Sequence, residues 1–198
     1  MAVSLDEVKK LKELTGVGLT DAKRALEEAE GDFDKALAEM RKKGLTKAEK
    51  RGEREASQGL VEAYVHGARI GAMVEVNCET DFVARTDDFK NLVHDIAMHV
   101  AASNPVYVSS EDIPADVREA KAAEFTEKVK AEGKPENIAG KIVEGMLSKY
   151  FAEQCLLDQP FIKNPDETVG TLIKGSVAKL GENIVVRRMV RFELGVTE

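Results

Sequence analysis

Hydrophobic spacing changes once along this chain, and the change falls at residues 45–58. That segment, LTKAEKRGEREASQ, holds one large apolar residue, Leu45, among charged and small ones. It has no apolar stripe to bury, so it reads as a solvated connecting helix or linker. Before it, apolar residues recur at helical spacing; after it, they alternate as strands require. Two units are therefore expected, residues 1–44 and residues 59–198.

The first unit reads as three short helices. Ser4 and Glu7 form a capping box, and Leu5, Val8, Leu11 and Leu14 follow at helical spacing. Thr15-Gly16-Val17-Gly18 interrupts that helix. A second runs from Thr20, which can cap it, to Glu30 and stops at Gly31. Asp32 caps a third, which carries Phe33, Ala36, Leu37 and Met40 and ends at Gly44.

The second unit opens with strands over 59–66 and 70–77, joined by Gly67-Ala68-Arg69. Ile70, Ala72, Val74 and Val76 line one face. A helix follows from Asp87, with Phe89, Leu92, Val93, Ile96, Ala97 and Val100 on one stripe, and ends at Asn104-Pro105. Helices over 114–132 and 135–157 form a hairpin around Gly133-Lys134-Pro135. A last helix covers 166–180. The closing strand, 183–194, places Ile184, Val186, Val190, Phe192 and Leu194 on one face with Arg188. The fold class expected is α+β. The closing strand joins the early hairpin in a three-stranded antiparallel sheet, with helices on one face and the helical hairpin at 114–157 protruding.

Charge and cysteine content exclude several functions. Lys plus Arg minus Asp plus Glu is 29 − 36 = −7. A general nucleic-acid binder needs the opposite balance, so no nucleic-acid partner is expected. The two cysteines, Cys78 and Cys155, provide neither a disulfide framework nor a zinc cluster. No apolar run reaches the ~18 residues of a membrane span, and the first residues do not read as a signal peptide. A cytoplasmic protein without a membrane partner is expected.

The sequence shows no phosphate-binding glycine loop and no nucleophile elbow. His94 and His99 lie five apart on one helix, so they do not share a face as a metal pair would; both read as packing or surface residues. Cys78 sits between Asn77 and Glu79, which disfavour a thiolate. No catalytic residue, metal ligand or cofactor is assigned, and a binding protein is favoured over an enzyme.

One segment stands out, Asn77-Cys78-Glu79-Thr80-Asp81-Phe82-Val83-Ala84-Arg85. It links a buried strand to an amphipathic helix without glycine or proline. On one reading Thr80 caps a short helical turn, and Phe82 and Val83 pack inward. On the other the segment is a rigid tip that presents a carboxylate beside an aromatic anchor.

That string closely resembles the hallmark of the translation elongation factor Ts family. Residues 15–26, Thr15-Gly16-Val17-Gly18-Leu19-Thr20-Asp21-Ala22-Lys23-Arg24-Ala25-Leu26, resemble the family's TGAGMMDCKKAL. Glu30-Gly31-Asp32, Arg41-Lys42-Lys43-Gly44, Ile184-Val185-Val186-Arg187-Arg188 and Arg191-Phe192 extend the resemblance over essentially the whole chain. It implies guanine-nucleotide exchange on elongation factor Tu, with GDP released so that GTP can bind. It implies that residues 1–44 are a ubiquitin-associated-like module that docks on the GTPase domain. It also implies that Thr80, Asp81, Phe82 and Val83 push in near the GTPase's magnesium site, with Asp81 and Phe82 as the intruding residues. Two departures stand. The family's paired methionines read Leu19-Thr20 here, so Lys12 and Leu19 are carried over as the docking residues. The chain is also short, with room for one sheet where longer members have two related core subdomains. The hairpin at 114–157 resembles the family's coiled-coil protrusion.

Both faces of the closing strand are partly apolar, and helices of one chain can cover only one of them. A non-covalent homodimer is expected to cover the other, since neither cysteine lies on this strand. The alternative function is a ubiquitin-associated-type adaptor without exchange activity; a small-molecule enzyme lacks a visible constellation of catalytic residues.

Overall fold

Residues 3–15 and 17–196 are described in this computed structural model, residues 45–47, 49, 136 and 137 by their helical backbone alone. Gly16, within the expected helix break, lies outside the described residues.

Helix α1 (Leu5–Thr15) buries Val8 and Leu11 and leaves Leu5 and Leu14 exposed. The Ser4 N–H donates to the Glu7 carboxylate and the Asp6 N–H to Ser4 Oγ, both at 3.3 Å. Ser4 thus caps α1 through the Asp6 amide, while Glu7 reaches back to the Ser4 amide. Helix α2 (Leu19–Glu28) starts one residue before expectation, with Gly18 as its N-cap. Thr20 therefore lies inside the first turn and does not cap the helix. At the other end Gly31, with φ 87°, donates its N–H to Leu26 O at 2.8 Å, closing the helix through a left-handed residue. Asp32 caps α3 (Phe33–Glu49) by accepting the Lys35 N–H at 3.0 Å. Val8, Leu11, Ala22, Ala25, Leu26, Ala29, Ala36 and Met40 form the core of these three helices.

The third helix does not stop at Gly44. A Cβ on Gly44 would lie 3.0 Å from Cβ of Ala178. The missing side chain allows a close approach to the helix over 169–180, so this glycine serves packing rather than termination. One turn later Ala48 enters the core of the second unit. The Arg51 guanidinium donates to Val177 O at 3.2 Å. Part of the stretch expected to be solvated therefore packs on the α+β body.

Strands β1 (Gln58–His66) and β2 (Ile70–Cys78) pair antiparallel in a hairpin. A four-residue helix α4 (Asp81–Ala84) and the long helix α5 (Asp87–Ser103) follow. Thr86 caps α5, and Asn104 ends it at φ 48°. Phe89, Leu92, Val93, Ile96, Ala97 and Val100 are all buried against the sheet, as the stripe requires. Helices α6 (Ala115–Ala131) and α7 (Glu136–Gln154) make the hairpin, with the Phe125 and Tyr150 rings in edge-to-face contact. A short ribbon, β3 (Pro160–Phe161) with β4 (Asn164–Thr168), was not expected. It displaces the first residues of the expected 166–180 helix. Thr168 instead caps α8 (Val169–Leu180), accepting the Thr171 N–H.

The closing strand β5 (Ile184–Glu193) completes an antiparallel sheet of order β1-β2-β5. Its facing differs from expectation. Glu75 pairs with Arg188 but Val76 pairs with Val186, so Arg187 is an extra residue. A one-residue bulge exchanges the two faces beyond it. Ile184, Val186 and Met189 face the helices. Arg188, Val190 and Phe192 face outward, in cross-strand rows with Val61 and Glu75, with Ala63 and Met73, and with Val65 and Gly71. The outer face is therefore more apolar than strict alternation would leave it. Phe192 is 66% exposed, and Val61, Val65, Met73 and Val190 are exposed beside it.

Candidate functional site

The tip begins where β2 ends. Val74, Val76 and Cys78 are fully buried, which fixes the end of the strand in the core. Cys78 Sγ donates to Thr80 O at 3.2 Å. Burial, and next the Glu182 carboxylate, push the Cys78 thiol above its ordinary pKa. Burial does the same to Cys155. Both thiols therefore stay protonated and behave as core residues.

Thr80 turns the chain. Its side-chain oxygen accepts the Val83 N–H at 3.4 Å and caps α4. The short-turn reading of this segment is thus right about Thr80. It is right about Val83 too, which is partly buried against the core. It fails for Phe82, which is 77% exposed, the highest value among the exposed large apolar side chains of the described residues. Asp81 lies beside it with a half-exposed side chain, paired at 2.7 Å with the still more exposed Arg85. Within one turn, therefore, two residues anchor the segment and two are presented.

Sequence reasoning missed what holds the turn in place. Glu182 stands just after Gly181, whose φ of 82° ends α8. One Glu182 oxygen accepts the backbone N–H groups of Glu79 at 3.1 Å and Thr80 at 3.0 Å. The other accepts the Thr80 hydroxyl at 2.7 Å. Glu79 reciprocates, accepting the Asn183 N–H at 2.7 Å and facing Arg54 at 3.5 Å. Asn183 in turn donates to Arg54 O at 2.7 Å. The β2–α4 connection, the α8–β5 connection and the chain leading into β1 are tied in one polar network. The separation of Thr80 and Glu182 in sequence left no local signal for it.

The docking candidates lie elsewhere. Lys12 is exposed in the last turn of α1, and Leu19 is exposed at the start of α2. Neither shares an element with the tip. His94 is half exposed and meets Glu62 at 3.0 Å. His99 is fully buried: its Nδ1 accepts the Ile162 N–H at 3.2 Å and its Nε2 meets Gln159 Oε1 at 2.9 Å. Among the described residues, no group of three or more His, Cys, Asp or Glu is placed to hold a metal ion. No described helix is long and apolar enough to cross a membrane.

A three-helix unit, a three-stranded α+β body and an anchored tip with an exposed aromatic define one class of architecture. The sequence profile described as "Elongation factor TS" matches residues 7–196. The chain is 56% identical over 189 residues to elongation factor Ts of Carboxydothermus hydrogenoformans, covering 95% of this chain and 87% of that protein. It is 54% identical to the protein of that name from Moorella thermoacetica, covering 98% and 96%. With that of Thermodesulfovibrio yellowstonii identity is 50%, over all of this chain and 99% of the relative. The chain belongs to the elongation factor Ts family, and its process is translation elongation in protein biosynthesis.

Proposed function

We propose that this protein is the guanine-nucleotide exchange factor of elongation factor Tu, and that Thr80–Val83 is the segment that acts. Family membership supports the partner. The observation that carries the mechanism is the contrast within α4: Phe82 projects while Thr80 is fastened to the body. An aromatic on a rigid base can enter a partner's surface without paying to order a loop. GDP on a GTPase is held by Mg²⁺ and by backbone donors around its phosphates. Asp81 and Phe82 reach that region, disturb the groups around the metal, and release the ion and then the nucleotide. The coupling is reciprocal, so GDP with Mg²⁺ weakens the factor as much as the factor weakens them. The chain binds neither metal nor nucleotide and does no covalent chemistry. Residues 1–44 act as the ubiquitin-associated-like docking module, with Lys12 and Leu19 at the contact, in the cytoplasm.

Magnesium dependence tests this directly. The concentration of factor needed for half-maximal GDP release should rise as free Mg²⁺ rises. A half-point indifferent to Mg²⁺ contradicts displacement of the ion. A chain that binds elongation factor Tu and leaves GDP release unchanged is the adaptor of the alternative reading.

A second reading rests on a separate observation, the apolar outer face of the sheet. Val61, Val65, Met73, Val190 and Phe192 are exposed there in register. We propose that the same face of a second copy covers it, sheet against sheet about a two-fold axis.

A further inference from the structure

We infer that Glu182 is a positioning residue for exchange: it sets the direction of the Thr80 hydroxyl and thereby holds the Asp81-Phe82 turn ready before the partner arrives. The inference rests on the exchange reading above and adds a residue outside the hallmark segment. The Thr80 hydroxyl makes two contacts. It gives its proton to Glu182 at 2.7 Å, and its oxygen accepts the Val83 N–H. A hydroxyl has one proton and two lone pairs, so a carboxylate that accepts its hydrogen bond fixes the rotor with a lone pair turned to the Val83 amide. Without that carboxylate the hydroxyl can rotate and spend its proton elsewhere. Glu182 also fixes the backbone entering the turn, through the amides of Glu79 and Thr80. Hydrogen bonds to a charged group are the stronger kind. Glu182 is itself placed by Gly181 and by the returning bond from Asn183 N–H to Glu79. The latch therefore joins the tip to the end of α8 and the start of β5, elements buried in the main core through Val177, Ile184 and Val186. Phe82 takes no part in it, which leaves that ring free to be spent on a partner.

Glu182→Gln keeps the size and one acceptor oxygen but loses the charge. Thr80→Val removes the hydroxyl and keeps the shape. Stopped-flow release of fluorescent GDP from elongation factor Tu is measured over a range of factor concentrations. Each variant should lower the maximal rate about tenfold and move the half-saturating concentration less than about twofold, because docking is left to other surfaces. The double variant should be no slower than the worse single one, since both remove the same link. A structural readout is independent of the partner. The Val83 amide should exchange its hydrogen faster in Glu182→Gln, while amides at the centre of α5 do not change. A Glu182→Gln variant with the parent's maximal rate, or a double variant whose losses multiply, overturns the inference. If the unaltered chain does not speed GDP release, the exchange reading fails; hydrogen exchange at Val83 then still decides the positioning role. Should Glu182→Gln lower the melting temperature steeply, Thr80→Val alone carries the same test.

Discussion

Glu182 accepts the Thr80 hydroxyl at 2.7 Å across 102 residues of sequence. One contact thus links the turn that closes α8 to the turn that starts α4. It explains how a four-residue helix, too short to be stable alone, can have a fixed geometry.

Phe82 should matter for exchange and not for folding. With 77% of its surface exposed, truncation to alanine removes little buried area. Phe82→Ala should change stability by less than about 0.5 kcal/mol. A buried phenylalanine would instead cost about 3–5 kcal/mol. Thermal unfolding of the variant separates the two.

Gly44 tests the junction between the helical unit and the α+β body. The Ala178 side chain stands where a Cβ would come within 3.0 Å. Gly44→Leu should wedge α3 away from α8 and destabilise the protein by about 1–3 kcal/mol, despite leucine's better helix propensity. An increase in melting temperature would show that the two helices do not pack closely there. For the same reason, deletion of residues 1–53 should leave a core that is less stable than the full chain, because Ala48 and Arg51 leave with it.

His99 gives the protein a pH dependence of known sign. Its Nδ1 accepts a backbone N–H, and the Gln159 amide nitrogen donates to Glu153 O at 2.7 Å. The Gln159 oxygen therefore faces Nε2, which carries the proton of a neutral ring. Burial lowers its pKa below the ordinary value. The unfolded chain then binds a proton that the folded chain refuses. This contribution to stability is full above about pH 6.5 and is lost as pH falls from there through the lower folded value. Denaturant melts at several pH values, compared with His99→Gln, should show a shallower decline for the variant as pH falls below about 6.5. Parallel curves would mean that the ring takes up its proton as readily in the fold as in the unfolded chain.

The outer sheet face makes a prediction about mass. Phe192→Asp puts a charge in the last of the apolar rows, where a second copy would have to bury it. Light scattering at micromolar concentration should give twice 21.7 kDa for the parent chain and 21.7 kDa for the variant. A parent chain already at the lower mass rules the dimer out.

Periodicity carried the sequence reading wherever burial is one-sided. The α5 stripe and the alternation of β2 appear in the structure as expected, because each packs one face on one core. Of the features that escaped, three did so for different reasons. The bulge at Arg187 exchanges faces, and nothing in the local pattern marks it, since apolar residues lie on both sides. Gly44 resembles a helix stop but makes a close contact with Ala178, which only the tertiary structure reveals. Thr80 to Val83 was visible as a motif, yet Glu182 was not, because a long-range carboxylate clamp has no periodicity.

The most direct test compares the parent chain with Phe82→Ala in stopped-flow release of fluorescent GDP from elongation factor Tu, at matched folding stability. The parent chain should accelerate release strongly, and Phe82→Ala should lose at least about tenfold of that acceleration, as hot-spot aromatics do. Equal acceleration by both would contradict the assignment of the exposed tip as the segment that opens the nucleotide site.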